Sequence, residues 1–271
     1  MNEVTFFVWA DTHFGYHQQF AAADFRGGIV EQMNRLPGWP YPPQIGGYVD
    51  KPAMVMHAGD VVDGGARSAD ELQISRIFCT RLKWPHYVTL GNHDTSHEYL
   101  ADFIATHGSR SYSFDLAGWH VLSVDATYDV GETARIDGEN LQFIRDDLGS
   151  VSSGTPSLLF THASLRRLAN ADEVVAALAP YDVPLAFGGH YHCPGSYQEG
   201  GTTCIDVGHC RNHPIDAKYG CSFTVVRVRD GCVTAIPWRW DLQDWESGQD
   251  WSSDPAKCTA AAARLILHRA L

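Results

Sequence analysis

The chain has 271 residues, 44% hydrophobic and 19% charged, which is ample material for a buried core without the bias that keeps a chain unfolded. Its formal net charge of −12 argues against an extended nucleic-acid partner, because such affinity rests on clustered Lys and Arg that neutralise phosphates. No apolar run approaches the roughly 20 residues that a membrane-spanning helix needs, so neither long nucleic acid nor membrane is expected as a partner.

In chain order, residues 4–10 form an apolar run that stops at Asp11, followed by a helical pattern over 28–36 and a Pro/Gly/aromatic stretch over 37–48. A second run at 53–58 ends at Gly59-Asp60, helical periodicity returns over 69–82, and a third run at 86–90 ends at Gly91-Asn92-His93-Asp94. Residues 119–124 stop at Asp125, 138–148 read as helix, and 157–160 stop at Thr161-His162. A helix over 172–178 then leads to a run at 184–187 that meets Gly188-Gly189-His190-Tyr191-His192. The tail reads as two strands around Asp230-Gly231 within 224–240 and a terminal helix over 260–271.

Strands alternating with helices predict an α/β fold, in which sites form beyond the carboxyl ends of strands. Polar clusters at successive strand ends would therefore converge on one rim, while the 37–48 stretch would enter from the opposite rim. Singly, the clusters are ordinary: a carboxylate or imidazole in a turn usually bonds backbone. Together, Asp11, His13, Asp60, Asn92, His162, His190 and His192 supply the nitrogen and oxygen donors that hold borderline metal ions. His190 and His192, two apart on extended chain, share one face.

The ordered blocks Asp11-Thr12-His13, Gly59-Asp60-Val61-Val62-Asp63, Gly91-Asn92-His93-Asp94, Thr161-His162 and Gly189-His190-Tyr191-His192 resemble the signature of the calcineurin-like metallophosphoesterases. Class III cyclic-nucleotide phosphodiesterases and small bacterial metallophosphatases are the similar subgroups. The resemblance implies a four-layer α/β/β/α sandwich of two mixed sheets flanked by helices, formed by residues 1–271 as a single domain. It further implies two divalent or trivalent metal ions (Mn, Fe, Zn or Mg). Asp11, His13 and His192 would hold one ion, Asn92, His162 and His190 the other, and Asp60 both. The implied reaction is hydrolysis of a small-molecule phosphodiester or phosphomonoester by in-line attack of a metal-bridging hydroxide. His93 would assist the leaving group as general acid, Asp94 would orient or charge its imidazole, and Asp63 would act from behind.

Two other readings stand beside this one: a nuclease acting on short oligonucleotides, and a non-catalytic interaction module on the same fold. His17, His97, His209 and His213 lie on segments that could line the pocket, Arg211 could meet a phosphate oxygen, and His57 reads as a core residue. The seven cysteines show no paired spacing, which favours thiols and a cytoplasmic setting, and the opening residues carry no basic segment of a leader peptide. Cys193, Cys204 and Cys210 permit a separate zinc site without matching a zinc template.

Overall fold

The computed structural model describes residues 3–15, 25–43, 45–64, 68–95, 97–128, 133–211, 221–246 and 267–270. Strand β1 (Val4–Trp9) sits mid-sheet, parallel to β2 (Val55–His57), which is parallel in turn to β3 (His86–Val88). On its other side β1 pairs antiparallel with β12 (Ser222–Arg229), and β12 with β13 (Cys232–Arg239), the expected hairpin around Asp230-Gly231. The second sheet runs in the order β10 (Gly195–Glu199), β11 (Thr202–Asp206), β9 (Leu185–Gly188), β8 (Ser157–Phe160), β5 (Trp119–Ser123) and β4 (Tyr112–Leu116). Both sheets are mixed, and among the described residues helices cover their outer faces.

Alternation along β1 explains the layers. Phe6, Val8 and Ala10 point into the space between the sheets, where they meet Leu158, Phe160, Leu185 and Phe187 from the second sheet. Phe6 lies edge-on to Phe187 at 5.5 Å. Phe7 and Trp9 point the other way, against α1 (Phe25–Arg35), α2 (Ser68–Cys79) and α3 (His97–His107). Leu122, Leu159 and Ala186 likewise back onto α4 (Gly138–Ser150) and α5 (Ala171–Leu178). Each fully buried aliphatic or aromatic side chain contributes about 1.5–3 kcal/mol, so the clamp between the sheets is stiff.

The Pro/Gly/aromatic stretch takes the expected end of the sandwich: Tyr41 stacks on Trp245 at 5.4 Å and lies under Arg227 at 4.5 Å. Arg227 pairs with Thr5, at the start of β1 and so remote from its carboxyl end. One expectation fails. The terminal helix predicted over 260–271 is, at Leu267–Ala270, a strand (β15) antiparallel to β13, with Cys232 opposite Ala270. The rest of that segment lies outside the described residues. An open sheet edge that can satisfy backbone N–H and C=O groups outweighs the local preference of four residues. Cys193 is disulfide-bonded, a departure from the all-thiol reading, whereas Cys79, Cys204, Cys210, Cys221 and Cys232 are free. No helix among the described residues is long and apolar enough to cross a membrane.

Candidate metal centre

The carboxyl ends of β1, β2 and β3 lie at one edge of the first sheet and those of β8 and β9 at one edge of the second. Packing the sheets face to face brings the five following loops together. Backbone bonds lock them: Asp11 N donates to Gly59 O at 3.0 Å, His13 N to Asp60 O at 3.1 Å, and Gly189 N to His162 O at 2.8 Å. Asp60 and His162 approach closely only because two neighbours lack side chains. A Cβ on Gly59, whose φ is +89°, would fall 2.4 Å from His162 Nδ1, and one on Gly91 would fall 2.2 Å from Asp60 N.

The loops are strained where the candidate ligands sit. Among the described non-glycine residues eight have positive φ, and five of them are Asp11, His13, Asp60, His190 and His192. Left-handed backbone at such residues costs of order 1–3 kcal/mol each and persists only where the surroundings over-determine it.

The predicted ligands converge. Asp11, His13 and His192 form one group with ligating atoms within 4.8 Å of one another, and Asp60, His162 and His190 form a second. Asn92 joins the second through its Oδ1, 3.0 Å from His190 Nδ1. Asp60 links the groups, with Oδ2 3.1 Å from His162 Nε2 and 3.7 Å from His13 Nε2. On the other side His192 Nε2 lies 3.2 Å from Asp11 Oδ1.

This donor set fits metal ions. Nε2 of the buried His13 is without a hydrogen-bond partner while its Nδ1 faces Asp63, an expensive arrangement unless a cation takes the Nε2 lone pair. His162 Nδ1 donates to Ala58 O at 2.7 Å, which turns Nε2 toward the cluster as the candidate ligating atom, the usual way a backbone carbonyl fixes a ligating imidazole. The charges agree. Burial alone would raise the carboxyl of Asp11, but His192 and His162 outweigh it and hold it at about 2. Asp60 is driven down in the same way, against burial, by His162 and His13. Burial opposes protonation of His162, yet the Asp60 and Asp11 carboxylates lift its imidazole to about 10. These residues pull a proton into the place of a cation.

His93 stands beside this set: its ring is 4.6 Å from that of His13, and it forms a third group with His13 and Asp60. Its Nδ1 donates to Asp63 O at 2.7 Å. Asp94 does not take the expected place behind His93. Its carboxylate turns inward, accepting from Val62 N at 3.0 Å and Gly91 N at 2.9 Å, because two buried backbone donors there have no strand partner. Burial and the charge of Asp60 raise its carboxyl to about 7. Asp63 backs His13, Oδ1 to Nδ1 3.4 Å.

Of the remaining candidates, His57 is a core residue whose Nε2 lies 3.0 Å from Thr12 Oγ1, itself bonded to Val61 O. His209 is buried with its ring 5.4 Å from His192. Arg211 is half-buried; burial would raise the carboxyl of Asp63, but His13 above all, with His93 and then Arg211, holds it below its usual range. His97 opens α3, and His17 and His213 lie outside the described residues. Among the described residues no cysteine joins a ligating group.

Sequence reasoning missed Arg26. Buried at the start of α1, it donates from Nη1 to Thr12 O at 2.9 Å and His13 O at 2.6 Å, holding the left-handed turn that carries two candidate ligands. Sequence reasoning also missed a cluster beyond His162: Ser164 Oγ donates to Asp206 Oδ1 at 2.6 Å, Arg166 Nη2 reaches Asp206 Oδ2 at 3.2 Å, and Arg167 stacks on Tyr191 at 4.4 Å.

A family model described as calcineurin-like phosphoesterase matches residues 4–194. A search of curated proteins gave no match. Among solved structures the chain resembles a dimetal phosphatase from Danio rerio, at 16% identity and a TM-score of 0.65, covering 88% of this chain and 96% of that one. A purple acid phosphatase from yellow lupin matches at 13% identity and TM-score 0.62, covering 90% and 52%. GAP50, the anchor in the inner membrane complex of Plasmodium, matches at 8% identity and TM-score 0.57, covering 90% and 87%.

Proposed function

The chain belongs to the calcineurin-like phosphoesterase family, and we propose that this member hydrolyses a phosphate ester, diester or monoester, of a small molecule with two metal ions held by the residues above. The observation that carries the reading is Asp60, one carboxylate within reach of two separate groups of imidazoles and carboxylates. That is the donor set for a paired-cation site. When bound, such ions supply positive charge to phosphoryl oxygens and acidify water for attack in line.

The chain's own residues do the rest. Asp11, His13 and His192 on one side, and Asn92, His162 and His190 on the other, are fixed before any ligand arrives, so little is spent on ordering them. His93 is the general acid. A carbonyl can only accept, so Nδ1 bonded to Asp63 O keeps its proton and Nε2 is the atom that delivers one to the departing alkoxide. Asp94 acts only through the loop that positions His93.

A nuclease reading would require a basic track, which a net charge of −12 disfavours. The anchoring role of GAP50 raises a non-catalytic alternative, but the full ligand set with His93 beside it favours catalysis. The test is hydrolysis of bis(p-nitrophenyl) phosphate and p-nitrophenyl phosphate by protein stripped of metal and resupplied with Mn, Fe, Zn or Mg. Turnover of either ester that returns only with metal supports the reading, and which ester it is separates diesterase from phosphatase. No turnover of either with any metal favours the anchoring role.

A further inference from the structure

The loop that carries His162 is anchored two strands away from the strand that launches it. In the second sheet β9 lies between β8 and β11, so the chain leaving β8 must cross the end of β9 to reach β11, a span of roughly 10 Å at the usual strand spacing. The crossing is close: a Cβ on Gly188, the last residue of β9, would fall 3.2 Å from Ser164 N. Beyond it, Ser164 Oγ donates to Asp206 Oδ1 at 2.6 Å and Arg166 Nη2 to Asp206 Oδ2 at 3.2 Å. Asp206 is the last residue of β11, pairs with Gly188 in the register, and is buried. Tyr197 of β10 completes the cluster, its hydroxyl 2.9 Å from Ser164 Oγ and its ring 4.0 Å beneath the Arg166 guanidinium.

What this anchor holds is the segment with His162. Only Thr161, His162 and Ala163 separate the end of β8 from Ser164, and the backbone ties of that segment run to the β9 loop: Thr161 N donates to Phe187 O at 3.0 Å and Gly189 N to His162 O at 2.8 Å. A shift at Ser164 therefore reaches His162 directly and His190 through Gly189. Asp206 joins no ligating group among the described residues, so any effect it has on a cation passes through this loop. A carboxylate with a donor on each oxygen can pin a hydroxyl and a guanidinium at once, and such charge-assisted bonds are about twice as strong as neutral ones. We propose that Asp206 is a positioning residue for the second ligand group: it holds the 161–167 loop so that His162 and His190 keep the spacing that a cation needs. The proposal rests on the two-ion reading above.

Two mild variants test it. Asp206→Asn keeps the size of the side chain but offers one acceptor where two are used, and Ser164→Ala removes only a hydroxyl. In calorimetric titrations of metal-stripped protein with Mn(II), the binding step that Asn92→Ala abolishes marks the second group. Both variants should weaken that step about tenfold relative to the other, the low end of the loss when a partner that orients a ligand is removed. Leu148→Ala, a cavity under α4 in the same layer, should lower the melting temperature and leave the ratio of the two steps alone. Equal weakening of both steps by Asp206→Asn and Ser164→Ala, or no weakening, overturns the proposal. Amide exchange in metal-free protein reads the same role without an ion: the Gly189 N–H, bonded to His162 O, should exchange about tenfold faster in both variants relative to the Asp11 N–H, bonded to Gly59 O. Failure of wild-type protein to bind Mn(II) counts against the two-ion reading instead, and an exchange ratio unchanged in both variants then overturns the role of Asp206 by itself.

Discussion

Gly91→Ala tests how the centre is built without touching a ligand. The new methyl carbon would lie 2.2 Å from the backbone nitrogen of Asp60 and 2.2 Å from its Oδ1, and a backbone atom cannot swing aside. The same residue donates its N–H to Asp94 Oδ2, so the shift would spread to the loop behind His93. Forcing a methyl into a packed interior costs about 1–3 kcal/mol, and a clash with main chain belongs at the upper end. For a chain of this size that lowers the melting temperature by roughly 5–10 °C. Because Asp60 lies within reach of both candidate ligand groups, both proposed ions should bind more weakly, by about 10- to 100-fold, the loss seen when supporting contacts of a metal site are disturbed. Gly138→Ala is the control: no atom lies within 4 Å of the added carbon, and α4 begins there, so stability should rise by about 0.4–1 kcal/mol. Metal content after dialysis, together with thermal unfolding, reads both variants. If Gly91→Ala held two ions with wild-type affinity and melted like wild type, the account of Asp60 as a residue wedged into place by an absent side chain would be wrong.

Asn92→Ala and His190→Ala should each lose one ion and most turnover, whereas His93→Ala should keep both ions and slow the reaction by about 10²- to 10⁴-fold; metal analysis beside rate measurement separates them. The reverse pattern of metal loss would exchange the roles. Arg26→Lys should weaken the ion held by His13 more than the other, because one ammonium cannot hold the Thr12 and His13 carbonyls as the guanidinium does; titrations with a metal indicator resolve the two. In metal-free protein the His162 imidazole rises from 6.5 to about 10, so its stabilising contribution is complete below pH 6.5 and fades as pH climbs through 10. Asp94, raised from 3.8 to about 7, also makes folding less favourable as pH rises between those values, while Asp11, lowered from 3.8 to about 2, contributes above pH 3.8 and loses that only in strong acid. Melting curves of chelator-treated protein should therefore decline on the alkaline side, and metal should flatten that decline by taking the proton's place on His162; an alkaline limb indifferent to metal would count against that exchange.

The convergence of the candidate ligands was legible because strand ends are marked in sequence by abrupt polarity, and the topology of parallel strands puts such ends on one edge. Asp94 was misread because adjacency to His93 says nothing about which way a carboxylate turns; the buried N–H groups of Val62 and Gly91 decided it. The hairpin of β10 and β11 carried a readable mark, Gly200-Gly201, but the polar Gln198 and Glu199 hid the strand leading into it. Arg26 was beyond sequence reasoning, since helical periodicity predicts which positions are buried and not that a guanidinium fills one to hold a turn.

The left-handed backbone of Asp11, His13, Asp60, His190 and His192 bears on how an inactive form of this protein should be made. Alanine is the habitual choice for erasing a ligand, yet here it would remove the metal and also place a residue ill-suited to that conformation, mixing lost chemistry with a loosened loop. Asparagine tolerates the left-handed region better than most residues. Asp60→Asn and His190→Asn are therefore the cleaner silent copies, suited to trapping an uncleaved ester on an intact scaffold.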